Sequence, residues 1–512
     1  MKYMLTLIDT FLNQTTMYRL LEYYLGGLLL IAAGFSAVGI LPYNPLYLLA
    51  SAGFLMAVCW LFNILAARIW NIPTNAESSI ITALILSLII TPDKPYTVFF
   101  FLLWAALLAM ASKYILAIRG KHVFNPAAFG VAATALFLNQ SATWWVGGNL
   151  PMLTFVLIGG FLVVRKIHRW DLVLTFITVA LVSTIEPIVA HGGDIVSAVT
   201  TTLLHTPLFF FAFVMITEPL TTPPRRLGRI AYGAVVGFLF APWVGIGSFF
   251  FTPELALLAG NIFSYIISPK FKAVLQLKEI RKLAADTYEF IFSGRVPVFK
   301  PGQYAEWTLA ADTSDSRGNR RYFTLASSPT EQDVRLGIKF YANASTFKRY
   351  LAEFKTGSTM LAGSIAGDFT LPWLPWQKKR KLVFIAGGIG VTPFRSMVRY
   401  LLDKKEVRDV VLFYSNKTQA EIAYKDVFDA AQAANIGFRA VYTLTDKGIP
   451  PTWTGGRGYV DAAMIAREVP DYKKRLFFIS GPRSMVTAFQ KTLHDMGVPR
   501  RRIKVDFFPG FA

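Results

Sequence analysis

Apolar stretches of membrane-spanning length fill residues 22–268 and then stop. A hydrocarbon core of ~30 Å needs about 20 apolar residues of helix. In lipid each backbone N–H and C=O must be paired within the segment itself. The first half is therefore expected to be a helical bundle, and the second a separate water-soluble body. Candidate spans are 22–41, 45–67, 78–91, 96–117, 124–138, 149–165, 171–190, 203–217, 228–250 and 252–268. Three of them, 78–91, 124–138 and 203–217, are short. They read either as half-helices that end at a buried site or as spans with wider limits.

Charge orients these spans. With the N-terminus in the cytoplasm, the inside loops hold twelve basic residues, from Lys2 and Arg19 to Arg226 and Arg229, and the outside loops hold only Lys94. Cytoplasmic loops are the ones enriched in Lys and Arg. The count favours ten spans in a cytoplasmic (inner) membrane, with everything from residue 269 onward in the cytoplasm. Residues 1–268 hold 13 Lys+Arg against 9 Asp+Glu; residues 269–512 hold 39 against 22. A body so basic, tethered to a bilayer, faces anionic headgroups and attracts anionic dinucleotides. Its basic residues are dispersed and no nucleic-acid motif occurs, so nucleic acid is not an expected partner.

Within the apolar half, Ile81-Thr82-Ala83-Leu84 through Ile90-Thr91-Pro92 is echoed by Thr202-Leu203-Leu204 through Ile216-Thr217-Glu218-Pro219. Coincidence among apolar runs is one reading. The other is an inverted five-plus-five repeat with a site at the repeat interface. Glu77, Glu186 and Glu218 fall near span ends, as interfacial residues or parts of an ion path. His205 falls inside span eight, within reach of a ligand. Four scattered histidines do not supply the two facing pairs that a transmembrane haem path needs. The lone Cys59 excludes an intramolecular disulfide and an iron–sulfur cluster held by this chain alone; no metal site is assigned.

The stretch Gly120-Lys121-His122-Val123-Phe124-Asn125-Pro126-Ala127-Ala128-Phe129-Gly130, and Ile216-Thr217-Glu218-Pro219-Leu220-Thr221-Thr222-Pro223-Pro224 with Arg226-Leu227-Gly228-Arg229, resemble the membrane flavin subunits of the sodium-translocating NADH:quinone reductase and of the Rnf complex. The resemblance covers most of residues 20–268. It implies a flavin-holding bundle of about ten helices. It also implies FMN esterified to a threonine in an Asp-x-x-Ser-Gly-Ala-Thr motif. Here that stretch is Asp194-Ile195-Val196-Ser197-Ala198-Val199-Thr200, with β-branched Val199 beside the acceptor. Thr200 is the FMN candidate; the alternative is that it caps a helix beginning near Thr202.

From residue 272 the pattern changes to short strands and turns. Arg321, Phe323 and Thr324, within Arg320-Arg321-Tyr322-Phe323-Thr324-Leu325-Ala326-Ser327-Ser328-Pro329, offer a guanidinium for a diphosphate, an aromatic face and a hydroxyl. Alternation on a strand puts Arg321 and Phe323 on one face. Ser345 and Thr346 open a helix at 347–354, whose N-terminus suits phosphate; capping explains Ser345 equally well. The run 381–386 leads into Gly387-Gly388-Ile389-Gly390-Val391-Thr392-Pro393 and a helix at 394–402. That is a strand, a glycine turn and a helix N-terminus suited to a pyrophosphate. Strand-like runs at 409–414, 438–443 and 475–480 alternate with helical ones, as in a doubly wound parallel α/β sheet.

Residues 272–512 thereby resemble the ferredoxin–NADP reductase family. The resemblance implies an antiparallel β-barrel FAD domain over 269–375 and an NAD(P) α/β domain over 376–512, following the membrane domain of 1–268. Arg321, Phe323, Thr324, Ser345 and Thr346 match its FAD motifs. Gly387, Gly388, Gly390, Thr392 and Pro393 match its dinucleotide turn, and Gly481 and Pro482 its Cys-Gly-Pro motif. Ser480 replaces the usual cysteine beside the nicotinamide. The tail Asp506-Phe507-Phe508-Pro509-Gly510-Phe511 is expected to cover the flavin ring with Phe508, or simply to pack. Ser480 and Phe508 are the residues expected nearest the reacting rings. The combined expectation is a membrane-bound flavoenzyme that oxidises NADH or NADPH. Its FAD passes electrons to a membrane flavin (FMN), and then to a quinone or an external acceptor. The alternatives are a redox-driven Na+/H+ pump subunit, and a conduit to a partner extracellular flavoprotein. Lys417, after the second parallel strand, is either a 2′-phosphate contact or solvated.

Overall fold

The computed structural model describes residues 8, 12, 15–70, 76–118, 121–268, 272–309, 319–341, 344–446 and 448–508. It divides into two compact units, residues 1–271 and 272–512.

The first unit is helical. Its main helices are α1 (Met17–Ala37), α2 (Pro45–Trp70), α3 (Ala76–Ile89), α4 (Pro95–Ile115), α5 (Pro126–Leu138), α6 (Leu150–Ile167), α7 (Trp170–Ala190), α8 (Ile195–Leu204), α9 (Leu208–Met215), α10 (Arg226–Leu239) and α11 (Pro253–Ile267). Local signals set their ends. Thr16, Asn125 and Asp194 cap α1, α5 and α8, each accepting a backbone N–H with its side chain. Prolines open α4, α5, α6 and α11, where their missing N–H costs nothing. Glycine brings helices close: Gly233 and Gly237 of α10 lie against the main chain of α7 at Leu172 and Phe176, and Gly130 of α5 against Ala105 of α4.

Among the described residues, length and composition qualify five helices as spans, or six if α8 and α9, bent by 55° at their junction, form one. Two expected spans differ from what forms. Span eight, drawn at 203–217, is the break itself: α8 starts at Ile195, ends at Leu204, and the chain resumes at Leu208 as a short helix with a π-helical turn over Phe211–Met215. Thr206 and Pro207 interrupt it; a proline lacks the N–H that would continue the ladder. Span nine, drawn at 228–250, is helical only through Leu239. Gly245–Ile246 and Phe249–Phe250 pair as a two-stranded hairpin, which apolar composition concealed.

Among the described residues the second unit holds two six-stranded sheets. In the first, β1 (Lys272–Ala284), β2 (Thr287–Ser293), β3 (Tyr304–Thr308), β4 (Arg320–Thr324), β5 (Val334–Lys339) and β6 (Thr359–Ala366) pair antiparallel in the order β4-β3-β6-β1-β2-β5. Beyond β4, Ala326 N donates to Arg335 O of β5, so the two edge strands approach each other. In the second sheet, β7 (Leu382–Gly387), β8 (Val410–Asn416), β9 (Phe438–Leu444), β10 (Gly456–Arg457), β11 (Leu476–Pro482) and β12 (Ile503–Phe508) are all parallel, in the order β10-β9-β8-β7-β11-β12. Alternate residues of β7 enter opposite cores, Leu382, Phe384 and Ala386 on one face and Val383 and Ile385 on the other. Both faces are covered at the centre of the sheet, which explains the apolar runs of β7, β8 and β11. The strand order reverses at β7, so the crevice beyond the carboxyl ends of β7 and β11 is the natural ligand position.

Candidate functional site

At the carboxyl end of β7 the chain turns tightly. Gly388 has φ +52°, a left-handed conformation that suits glycine. A β-carbon on Gly390 would lie 2.5 Å from Ser480 O, so only glycine lets this turn rest on β11. A short 3-10 turn then enters α14 (Thr392–Asp403), with Pro393 in its first turn and Thr392 Oγ1 donating to Ile389 O at 3.2 Å. (The short helices α12, Thr346–Ala352, and α13, Pro375–Lys378, precede it.) Thr392 N donates to Ile389 O within the 3-10 turn and Pro393 has no N–H, so what the α14 N-terminus presents at the end of the sheet is chiefly the positive end of its helix dipole, which favours anions.

Register assembles the rest. Ala386 of β7 pairs with Ser480 of β11, and Gly387 pairs with Ser415 of β8, which pairs with Thr443 of β9. Ser480 is fully buried, and its Oγ has no hydrogen-bond partner. Thr443 Oγ1, at the same end of the sheet, is likewise buried and unpartnered. Such groups are costly unless a ligand satisfies them. This row of polar atoms beside a glycine turn therefore fits a nicotinamide dinucleotide.

Asp506 of β12 pairs in register with Ser480, Phe507 with Gly481 and Phe508 with Pro482. Burial pushes the Asp506 carboxyl up to about 6. This acid was named in the sequence only as part of the aromatic tail. The signal that would have singled it out is an isolated carboxylate immediately before a terminal aromatic pair. Phe508 ends β12 by its backbone; its side chain, and Pro509, Gly510 and Phe511, lie outside the described residues.

In the first sheet, Arg321 and Phe323 share a face of β4 as alternation requires. The Arg321 guanidinium lies 5.4 Å from the Phe347 ring, and Phe323 packs on the same ring at 5.7 Å. Tyr322 points the other way, exposed, with its hydroxyl on Glu306 Oε2 at 3.0 Å. Thr324 is buried. Ser345 caps α12 by accepting Lys348 N, so its hydroxyl is used as a cap, and Thr346 begins the helix. Arg321 and Phe323, both half-buried on one face with Phe347 behind them, offer the charge and aromatic surface that an FAD diphosphate and ring need.

In the helical unit, Thr200 lies in the second turn of α8, exposed, with Oγ1 donating to Val196 O at 2.7 Å. It is therefore not a cap: Asp194 caps α8 by accepting Ser197 N. His205 is exposed at the α8–α9 break rather than inside a span. A polar chain runs inside this unit. Glu218 receives His122 at 3.1 Å, Asn125 Nδ2 at 3.0 Å and Thr221 Oγ1 at 3.2 Å. Asn125 N donates to Asn261 Oδ1, and Asn261 Nδ2 reaches Tyr232 OH. Among these, Asn261 was not singled out in the sequence, because an amide in an apolar helix carries no motif.

Residues 146–273 match the model of the NQR2, RnfD, RnfE family, and residues 384–491 match the oxidoreductase NAD-binding domain. A glycine betaine monooxygenase reductase subunit from Chromohalobacter salexigens is 28% identical over 218 residues, covering 41% of this chain and 57% of that protein. A flavohemoprotein from a Burkholderia species is 24% identical over 215 residues, covering 42% and 52%. The chain thus spans about half the length of the curated relatives it matches. Among solved structures, the Amycolatopsis cytochrome P450 reductase GcoB is similar with 23% identity and a TM-score of 0.43, over 47% of this chain and 72% of that one.

Proposed function

We propose that this chain, which fuses an NQR2/RnfD/RnfE-type membrane segment to a reductase module with an NAD-binding domain, is a membrane-bound flavoenzyme that oxidises NADH or NADPH. Its electrons pass through FAD to FMN in the helical unit, and then to a quinone or an external acceptor. Ten spans, with the N-terminus and the reductase module cytoplasmic, complete the reading. The observation that carries it is the convergence at the β7–β11 crevice of the Gly388–Gly390 turn, the α14 N-terminus and the unpartnered Ser480 hydroxyl.

The chain's own residues would act as follows. The glycine turn lets a pyrophosphate approach the backbone, and the dipole at the α14 N-terminus favours its charge. Ser480 borders the nicotinamide and donates its otherwise unpaired hydroxyl. Asp506, in register beside it, holds a proton on its carboxyl below pH about 6 and releases it above. Arg321 holds the FAD diphosphate, with Phe323 against the ring system, Thr324 bonding it and Thr346 near its phosphates. When bound, FAD supplies the exchange between two-electron nicotinamide chemistry and single-electron transfer. Thr200, exposed on α8, offers its hydroxyl for FMN attachment.

The test is a flavin count on the purified full-length protein. Two flavins per chain, both bleached by NADH or NADPH, are expected. One flavin, or a second flavin that the nucleotide does not reduce, overturns the reading. A pump is the second reading, favoured by the Glu218–His122–Asn125 cluster inside the helical unit. Sodium-dependent quinone reduction in sealed vesicles selects it. Ion-independent reduction of an impermeant acceptor selects the conduit.

A further inference from the structure

Between the two sheets of the reductase module the chain reads Leu371-Pro372-Trp373-Leu374-Pro375-Trp376-Gln377-Lys378-Lys379-Arg380-Lys381. Leu371 and Pro372 are buried and fix the start of this segment. Trp373 and Trp376 are not: they are 58% and 69% exposed. Indole is the largest apolar side chain and is highly buried on average in water-soluble proteins, so two exposed within four residues call for a partner. Val298, two residues before Lys300, is exposed as well. Lys300 Nζ sits 4.1 Å over the Trp373 ring, which ties that loop to this surface.

Charge surrounds the rings. Lys378 pairs with Glu406 at 3.6 Å, and Lys381 with Asp471 at 2.9 Å and Asp409 at 3.4 Å. Lys379 and Arg380 are exposed and have no acidic partner among the described residues. Lys504 is held below its ordinary pKa, first by burial and then, against the pull of Asp368, by the nearby charges of Arg380 and Lys300. Lys300, Arg380 and Lys504 therefore crowd like charges, with Lys300 lying over the Trp373 ring.

Aromatic rings with basic neighbours are what a lipid headgroup region accepts. Tryptophan settles at the membrane–water interface, and Lys and Arg are drawn to anionic phosphates within a Debye length. A soluble protein partner would more often present a packed apolar pocket to such rings. The basic fringe instead matches a diffuse anionic surface. The same chain carries helices of membrane-spanning length, so a bilayer is permanently tethered to this module. We propose that Trp373, Trp376, Lys379, Arg380 and Lys300 form a docking surface for the headgroup region of an anionic lipid bilayer.

The test uses the full-length protein in lipid nanodiscs, with Gln377→Cys labelled by an environment-sensitive dye; Cys59 is buried and does not compete. In discs containing phosphatidylglycerol, dye emission is expected to shift to the blue and to be quenched by nitroxide headgroup lipids. High salt should reverse both effects. Pure phosphatidylcholine discs should give a weaker signal. Lys379→Gln with Arg380→Gln should weaken docking about fivefold for each charge removed. Trp373→Ala with Trp376→Ala should abolish the quenching. Both variants should keep full NADH:ferricyanide turnover, which separates lost docking from lost folding. Dye equally exposed in discs of both compositions overturns the proposal. So does dye equally shielded in detergent and in discs, which would mean that the rings meet protein and not lipid.

Discussion

Ser480 shows what a single side chain can reveal. Its hydroxyl is fully buried without a partner, and a buried unpaired hydroxyl costs about 1–3 kcal/mol. Evolution tolerates such a cost mainly where function needs it. Ser480→Ala is therefore expected to stabilise the nucleotide-free protein by about 1 kcal/mol while slowing NADH oxidation. Thermal denaturation and steady-state turnover check the two halves; lower stability together with unchanged turnover would refute a ligand role. Asp506, its register partner, gives a pH signature. Its carboxyl sits at about 6 in the folded chain against an ordinary 3.8. Between those values the folded state binds more protons than the unfolded one, so this group's contribution to stability falls as pH rises from about 4 to about 6, and stays lost above. Asp506→Asn should remove that slope from a series of denaturation curves, leaving stability flatter across the window and higher at pH 7.

Elements were legible where one period dominated. The runs 381–386, 409–414 and 475–480 became buried parallel strands, because a strand covered on both faces must be apolar throughout, whereas 438–443 became a parallel strand with a half-exposed middle and Arg439 at the surface. The same logic misled in the helical unit, where apolar composition does not distinguish helix from hairpin. The sequence 228–250 therefore hid the turn to Phe249–Phe250, and 203–217 hid a break at Thr206-Pro207. The glycine turn at Gly387–Gly390 was readable because φ and close approach restrict the residue type. Asn261 and Asp506 were not, since register and burial appear only in three dimensions. Two glycines test the element scale. Gly390→Ala places a methyl 2.5 Å from Ser480 O. It should cost about 1–3 kcal/mol and raise the KM for NADH about tenfold or more, measured by initial rates. Gly237→Val pushes α10 from the α7 main chain, where a β-carbon would already lie 2.8 Å from Phe176 O. It should lower the melting temperature of the detergent-solubilised protein while leaving NADH:ferricyanide turnover intact.

At the scale of the molecule, the question is whether two units with separate cores share one electron path. Among the described residues each unit closes its own hydrophobic clusters, so the core of neither draws on the other, and function is where an account of the covalent link is to be sought. Thr200 allows the two to be separated by a single atom. Its hydroxyl is exposed on α8, and its bonds to Val196 O and Ser197 O duplicate contacts the helix already makes. Thr200→Val keeps the β-branched shape and removes the hydroxyl, so α8 should persist. If FMN is esterified there, the variant should lose the flavin fluorescence that survives denaturation. It should keep NADH:ferricyanide turnover, which needs the reductase module alone, and lose quinone reduction. Retention of flavin and of quinone reduction would remove Thr200 from the path. Loss of flavin with quinone reduction intact would mean that electrons leave the reductase module directly, and that the helical unit serves only to hold it at the bilayer.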